Sequence, residues 1–154
     1  MKAQNKLAVA GLVVLFICTG FFREFLFVNI NEQMRISYYN APESFLAPSL
    51  NWLSSFDYTT LYYMKWPLTL AFTAVFAFYS ATVVRLVFND KSLVKITWLA
   101  YTFVFTLSFL FFLFGMLIGS RETTYGIARF LAGIIETPAM LAVLVASFLL
   151  LRKN

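Results

Sequence analysis

The side chains that most often carry catalysis are scarce in this sequence of 154 residues, which has no histidine and a single cysteine. Serine–histidine and cysteine–histidine catalysis are therefore excluded, as are the usual histidine-containing zinc and haem sites. Cys18 lies inside an apolar run, so we interpret it as a small buried hydrophobe rather than a reactive thiol. The six glycines form no GxGxxG or GxxxxGK pattern. We expect no metal site and no cofactor.

Ionisable residues in apolar runs are the remaining candidates for chemistry, and Glu136 is the clearest of them. A charge at bilayer depth costs at least roughly 2.5–3.5 kcal/mol on insertion scales, so such a residue usually faces a partner or a cavity. Arg129 lies seven positions earlier, a spacing that predicts the same helix face. Pro138 frees the carbonyl of Ile134 and predicts a kink beside the carboxylate. Gly133 would let another helix approach closely.

Six charged residues are expected in the outer half of the membrane, where they can form one polar cluster: Arg23, Glu24, Arg121, Glu122, Arg129 and Glu136. One interpretation is a set of salt bridges that holds the helices together, with a protonated Glu136 hydrogen-bonded inside it. The other is a polar pocket for a lipid headgroup, a substrate peptide or a charged residue of a partner. Proton-coupled transport is less favoured, because one acid within four helices makes a poor relay.

The composition indicates that membrane helices must position these charges. Hydrophobic residues make up 61% of the chain and charged residues only 12%, whereas a soluble domain has about 25% charged residues. The net charge of +5 does not predict nucleic-acid binding, because most of the basic residues flank apolar segments. Membrane lipids are the expected surroundings.

Uncharged runs between basic residues predict an all-α, polytopic membrane protein that forms a single membrane domain over residues 1–154. A helix needs about 20 apolar residues to cross the hydrocarbon layer. Four transmembrane helices are predicted at about 7–28, 66–88, 96–119 and 129–151. The first resembles a signal peptide, but no small-x-small cleavage site follows it, so a retained helix is expected.

The distribution of lysine and arginine predicts the orientation. One side of the predicted bundle carries seven basic residues and one acid, Asp90, and the other side carries five of each sign. The seven basic residues are Lys2, Lys6, Arg85, Lys91, Lys95, Arg152 and Lys153. The positive-inside rule therefore places both termini in the cytoplasm of a multi-pass protein.

The loop of residues 29–65 is rich in tyrosine and tryptophan and is too short for an independent core. The run Asn40-Ala41-Pro42-Glu43 is typical of a helix start, and Leu46, Leu50 and Leu53 recur at helical spacing, although Pro48 is expected to break such a helix. We predict a short amphipathic segment lying at the outer interface. A docking surface for a partner or a lipid is a compatible alternative.

Two stretches carry a resemblance to a known family: Phe22-Arg23-Glu24-Phe25-Leu26-Phe27-Val28-Asn29-Ile30-Asn31 and Ala128-Arg129-Phe130-Leu131-Ala132-Gly133-Ile134-Ile135-Glu136-Thr137-Pro138. The chain resembles the small four-helix membrane proteins of Flavobacteria and their relatives that are called exosortase F system-associated proteins. The resemblance implies a bacterial inner-membrane protein that partners an exosortase, a transpeptidase-like enzyme that processes proteins with a C-terminal sorting signal. Exosortases use a cysteine, an arginine and a histidine, so their catalytic role does not carry over to this chain.

Three functions follow as hypotheses. The first is a non-enzymatic accessory protein of the inner membrane whose polar outer-half cluster and loop contact a membrane-protein partner, and the resemblance implies an exosortase-type enzyme for that partner. The second is a small transporter or lipid-handling protein with an outer-leaflet pocket around Glu136 and Arg129. The third is an intramembrane enzyme that uses Glu24, Glu122 or Glu136 as a general base, which the absence of a metal or nucleophile motif disfavours.

Overall fold

The computed structural model describes residues 3–41, 45–118 and 121–152, without the side chains of residues 3–4, 121–123 and 125. Within these ranges the chain is helical and contains no strand. The elements are α1 (Ala3–Tyr39), a 3₁₀ helix (Pro48–Ser55), α2 (Tyr58–Phe88), α3 (Lys91–Ile118), α4 (Arg121–Ile135) and α5 (Pro138–Leu151). The all-α prediction is therefore confirmed.

The apolar helices identify a membrane protein. Among the described residues, α1, α2 and α3 are each long and apolar enough to cross a bilayer. The pair Gly126–Ile135 and Pro138–Leu151 passes the same test only when taken together, and its halves are bent by 62°. The number of candidate spans is therefore three, or four if the bent pair is one span.

The chain forms two compact units. The first unit comprises Met1–Ile17 and Phe72–Asn154, and the second comprises Cys18–Ala71. Both α1 and α2 contribute one end to each unit.

Aromatic side chains fill the core of the first unit. The rings of Phe16 and Phe76 lie 4.7 Å apart, and both side chains are buried. Tyr101 is also buried, and its hydroxyl is hydrogen-bonded to Ser80 at 2.8 Å. The Tyr101 hydroxyl needs this partner because an unpaired polar group costs free energy in an apolar core.

Polar contacts join the helices of the first unit at both ends. The Ser108 hydroxyl of α3 donates to the carbonyl of Ala128 in α4 at 2.7 Å. At the other end, Arg152 donates to the carbonyl of Phe88, the last residue of α2, at 2.8 Å. The turn after α2 has Asn89 at φ 52°, a left-handed conformation that asparagine tolerates at helix ends.

The second unit folds the loop back onto α1. Its buried core consists of Ile30, Met34, Leu53 and Leu61. The side-chain oxygen of Asn29 accepts a hydrogen bond from the Ala47 amide at 2.7 Å. Hydrogen bonds from the Thr60 side chain and backbone amide hold the Asp57 carboxylate before α2 and lower the pKa of Asp57 below its usual range.

Three local expectations differ from the structure of the second unit. Asn40 ends α1 in a left-handed conformation, φ 49°, rather than starting a helix. Pro48 begins the 3₁₀ helix instead of breaking one, because proline lacks the N–H that the first helical turn leaves unused. Pro42 and Glu43 lie outside the described residues. Cys18 is exposed rather than buried, because the apolar middle of α1 leaves most of its side chains uncovered.

Candidate functional site

The break between α4 and α5 is held by the residues around Pro138. Proline has no N–H, so the Ile134 carbonyl loses its normal helical partner. Thr137 supplies the replacement, since its hydroxyl donates to that carbonyl at 2.9 Å and its backbone N–H donates at 3.4 Å. The kink predicted beside Glu136 is thus present, and its freed carbonyl is satisfied locally.

Glu136 follows the end of α4 and points into the first unit. Its side chain is buried, with 3% exposure, and Oε1 accepts a hydrogen bond from the Thr73 hydroxyl of α2 at 3.3 Å. Thr73 is buried as well. The carboxylate therefore joins α2 to the break between α4 and α5.

Arg129 is exposed on α4, whereas the Glu136 side chain is buried, so the structure does not bring the two side chains into one site. α4 ends at Ile135, and the backbone N–H of Glu136 still donates to the Ala132 carbonyl at 3.2 Å. The buried side of α4 carries Ala128 and Ile135 instead.

The exposed side of α4 forms an open groove of about 490 Å³, which we call the Arg129 groove. Its lining residues are Gly126, Arg129, Phe130, Gly133, Ile134 and Thr137. Their spacing follows one face of the helix. Glu136 is not among the described residues that line this groove.

The remaining members of the predicted six-residue cluster fall in different places. Arg23 and Glu24 belong to the second unit, where they form an ion pair with 3.1 Å between Nη1 and Oε2. The Arg23 guanidinium also lies 4.7 Å from the centre of the Phe27 ring. The side chains of Arg121 and Glu122 lie outside the described residues, so the six-residue cluster stays a prediction.

The second unit carries an exposed aromatic surface within the segment predicted to be an outer loop, where a docking surface was one of the two interpretations. Five tyrosines from the end of α1 and the start of α2 form a chain of ring contacts, which we call the tyrosine cluster: Tyr38, Tyr39, Tyr58, Tyr62 and Tyr63. Centroid distances run from 4.8 Å to 6.3 Å. Tyr39 is 72% exposed and Tyr63 is 66% exposed.

A polar framework fixes the backbone around the tyrosine cluster. Glu32 of α1 binds Arg35 through both carboxylate oxygens, at 2.8 Å and 2.9 Å. The same carboxylate accepts the Phe45 amide at 3.1 Å. Lys65 of α2 donates to Asn31 of α1 at 2.8 Å. The cluster is therefore presented by a folded segment rather than by a linker.

Comparisons with known proteins find no family model, no curated protein and no solved structure that matches this chain. The described residues also contain no group of three His, Cys, Asp or Glu side chains placed to hold a metal ion. The features that can carry a function are the Arg129 groove, the tyrosine cluster and the buried carboxylate of Glu136.

Proposed function

We propose that this chain is a non-enzymatic accessory protein of a bacterial inner membrane, which contacts a membrane-protein partner through the tyrosine cluster. In this proposal α4 and α5 form one broken span, so the chain crosses the bilayer four times. Both termini are cytoplasmic, and the tyrosine cluster stands on the outer side.

The length of α1 is the observation that carries the proposal. Its 37 residues extend about 55 Å at the helical rise, whereas the hydrocarbon layer is about 30 Å thick. With residues 7–28 in the hydrocarbon, Tyr38 and Tyr39 stand about 15 Å beyond its outer edge. The headgroup layer adds only about 5–8 Å on that side. Tyr38 and Tyr39 are then above the depth at which aromatic residues anchor a helix to lipid.

Exposed aromatic residues on a fixed backbone are typical of protein-binding surfaces. Tyrosine supplies a large contact area at a small cost in conformational entropy and is enriched among residues that dominate binding energy. The ring contacts within the cluster and the hydrogen bonds of Glu32 reduce that cost further. The resemblance to exosortase-associated proteins makes an exosortase-type enzyme the first partner class to test.

The position of Glu136 favours this function over transport. A substrate path that uses Glu136 and Arg129 needs both side chains in one accessible pocket. Glu136 is instead buried against Thr73, while Arg129 lines an open groove whose described lining does not include Glu136. A structural role for Glu136 accounts for its contacts without a transported substrate.

Affinity purification of the full-length protein from native membranes tests the proposal. We expect the unchanged chain to recover one membrane enzyme or envelope protein in stoichiometric amount. The double variant Tyr38→Ala/Tyr39→Ala should reduce that recovery by about tenfold or more, because truncated aromatic hot spots cost about 2 kcal/mol or more.

Phe21→Ala is the matched control for this experiment, because Phe21 is an equally exposed aromatic residue on α1, at 74% exposure, within the proposed span. It should leave recovery unchanged. Repeated isolation of the unchanged chain alone, as a homo-oligomer, would contradict the proposal, as would equal losses in the variant and the control.

A further inference from the structure

We infer that the Arg129 groove binds the phosphate headgroup of an anionic membrane lipid. The inference concerns the first unit only and does not depend on the partner proposed for the tyrosine cluster. It rests on the proposed broken span of α4 and α5, which are long and apolar enough to cross a bilayer when taken together.

The charge of Arg129 calls for an anion at this place. Arg129 is exposed on α4, and its neighbours in the groove include the apolar residues Phe130 and Ile134. Among the residues that the structure describes, none is hydrogen-bonded or ion-paired to its guanidinium. A cation within the bilayer is costly unless it meets a counter-charge or a polar region. Guanidinium binds phosphate through two parallel hydrogen bonds, which is its preferred mode of anion recognition.

Two glycines provide room for a headgroup beside this cation. Gly126 precedes Arg129 by three positions and Gly133 follows it by four, so both lie on its face of α4. A methyl group added at either glycine would meet no atom within 4 Å of it among the described residues. The guanidinium therefore has open space on both sides along the helix.

The apolar part of the groove suits the hydrocarbon part of the same ligand. Phe130 is 68% exposed, and Ile134 lines the groove one turn further along. A cation next to apolar walls matches a molecule that joins a phosphate to acyl chains. A free anion would contact the cation but would gain nothing from the apolar walls.

Large side chains between the glycines favour a lipid over a partner helix. Close helix packing in membranes depends on small residues along the contact. Here Arg129 and Phe130 stand between Gly126 and Gly133 and hold another helix away from the backbone. Flexible acyl chains can lie around both side chains, so the groove fits a lipid better.

Native mass spectrometry of the full-length protein, titrated with defined lipids in detergent, tests this inference. We expect phosphatidylglycerol to bind the unchanged chain more tightly than phosphatidylcholine. Arg129→Gln should weaken phosphatidylglycerol binding by about tenfold or more, as expected for the loss of a charge-assisted hydrogen bond. Arg129→Lys should bind phosphatidylglycerol more weakly than the unchanged chain and more tightly than Arg129→Gln. Lysine keeps the charge but cannot form the two parallel hydrogen bonds.

Arg152→Gln is the matched control, since Arg152 already donates to the Phe88 carbonyl and lies 4.0 Å from Asp90. Arg152→Gln should keep the preference for phosphatidylglycerol over phosphatidylcholine. Equal losses of phosphatidylglycerol binding in Arg129→Gln and Arg152→Gln, or no lipid preference in the unchanged chain, would overturn the inference.

A photoreactive side chain in place of Phe130 adds a test in native membranes. Crosslinks to lipid support the inference, whereas crosslinks to a protein instead of lipid refute it.

Discussion

Replacing Leu53 by alanine should destabilise the second unit by about 2–5 kcal/mol, the range observed for large-to-small changes in protein cores. Leu53 is 0% exposed and packs with Ile30, Met34 and Leu61. Tyr62 of the tyrosine cluster also packs against this core. The cavity should therefore loosen the cluster as well as the 3₁₀ helix. Hydrogen exchange of the backbone amides in residues 45–64 measures the effect directly.

The neighbouring residue provides the control for this prediction. Trp52 is 50% exposed, so Trp52→Ala removes a larger side chain but creates no comparable cavity. It should leave hydrogen exchange in the second unit nearly unchanged. If both variants accelerate exchange equally, the core assigned to Leu53 is wrong. If Leu53→Ala has no effect, the loop is not held by that core.

Replacing Glu136 by alanine should lower the free energy of unfolding by about 1–3 kcal/mol, because Thr73 would keep a buried hydroxyl without this acceptor. Glu136→Gln should cost much less, since its side-chain carbonyl can still accept from Thr73 in nearly the same volume. Unfolding of the purified protein in detergent measures both values. Adding Thr73→Val completes a double-mutant cycle, which should give a coupling of about 0.5 kcal/mol or more.

A second threonine serves as the control for the Glu136 experiment. Thr82 donates only within its own helix, to the Phe78 carbonyl at 2.8 Å. Thr82→Val should show no coupling to Glu136→Ala. The assigned role also predicts that Glu136→Gln retains partner recovery. Loss of recovery in a well-folded Glu136→Gln protein would instead make the carboxylate part of a functional site.

The membrane helices and the kink were predictable because they rest on local chemistry. Long uncharged runs between basic residues predict apolar helices, and α2 ends at Phe88, where the predicted helix of residues 66–88 ends. Pro138 removes one backbone donor wherever the helix lies, so the break follows from one residue. The satisfaction of the Ile134 carbonyl by Thr137 is equally local.

The extension of α1 to Tyr39 was not predicted, because polar residues interrupt the hydrophobic run along its sequence. Asn29 and Glu32 end the hydrophobic run after residue 28, and the predicted loop begins there. Leu26, Ile30 and Met34 recur at intervals of four, however, and signal that the helix continues. These polar residues have a structural role, because the side chains of Asn29 and Glu32 accept hydrogen bonds from the backbone amides of Ala47 and Phe45.

The separation of Arg129 from Glu136 needed the three-dimensional structure. A seven-residue spacing says nothing about which of two side chains a neighbouring helix covers. The burial of Glu136 depends on its contact with Thr73, which is distant in sequence. The tyrosine cluster also depends on two helix ends that meet through the contact of Tyr38 with Tyr58.

The proposed topology has four crossings of the bilayer, with α4 and α5 as one broken span, and cysteine labelling in intact cells measures it. Cys18→Ser removes the single native cysteine. Three further variants then each carry one cysteine, at Ser54→Cys, Ser92→Cys or Lys153→Cys. With a membrane-impermeant maleimide, Ser54→Cys should label from outside, whereas Ser92→Cys and Lys153→Cys should label only after permeabilisation. Labelling of Lys153→Cys from the same side as Ser54→Cys would contradict this topology.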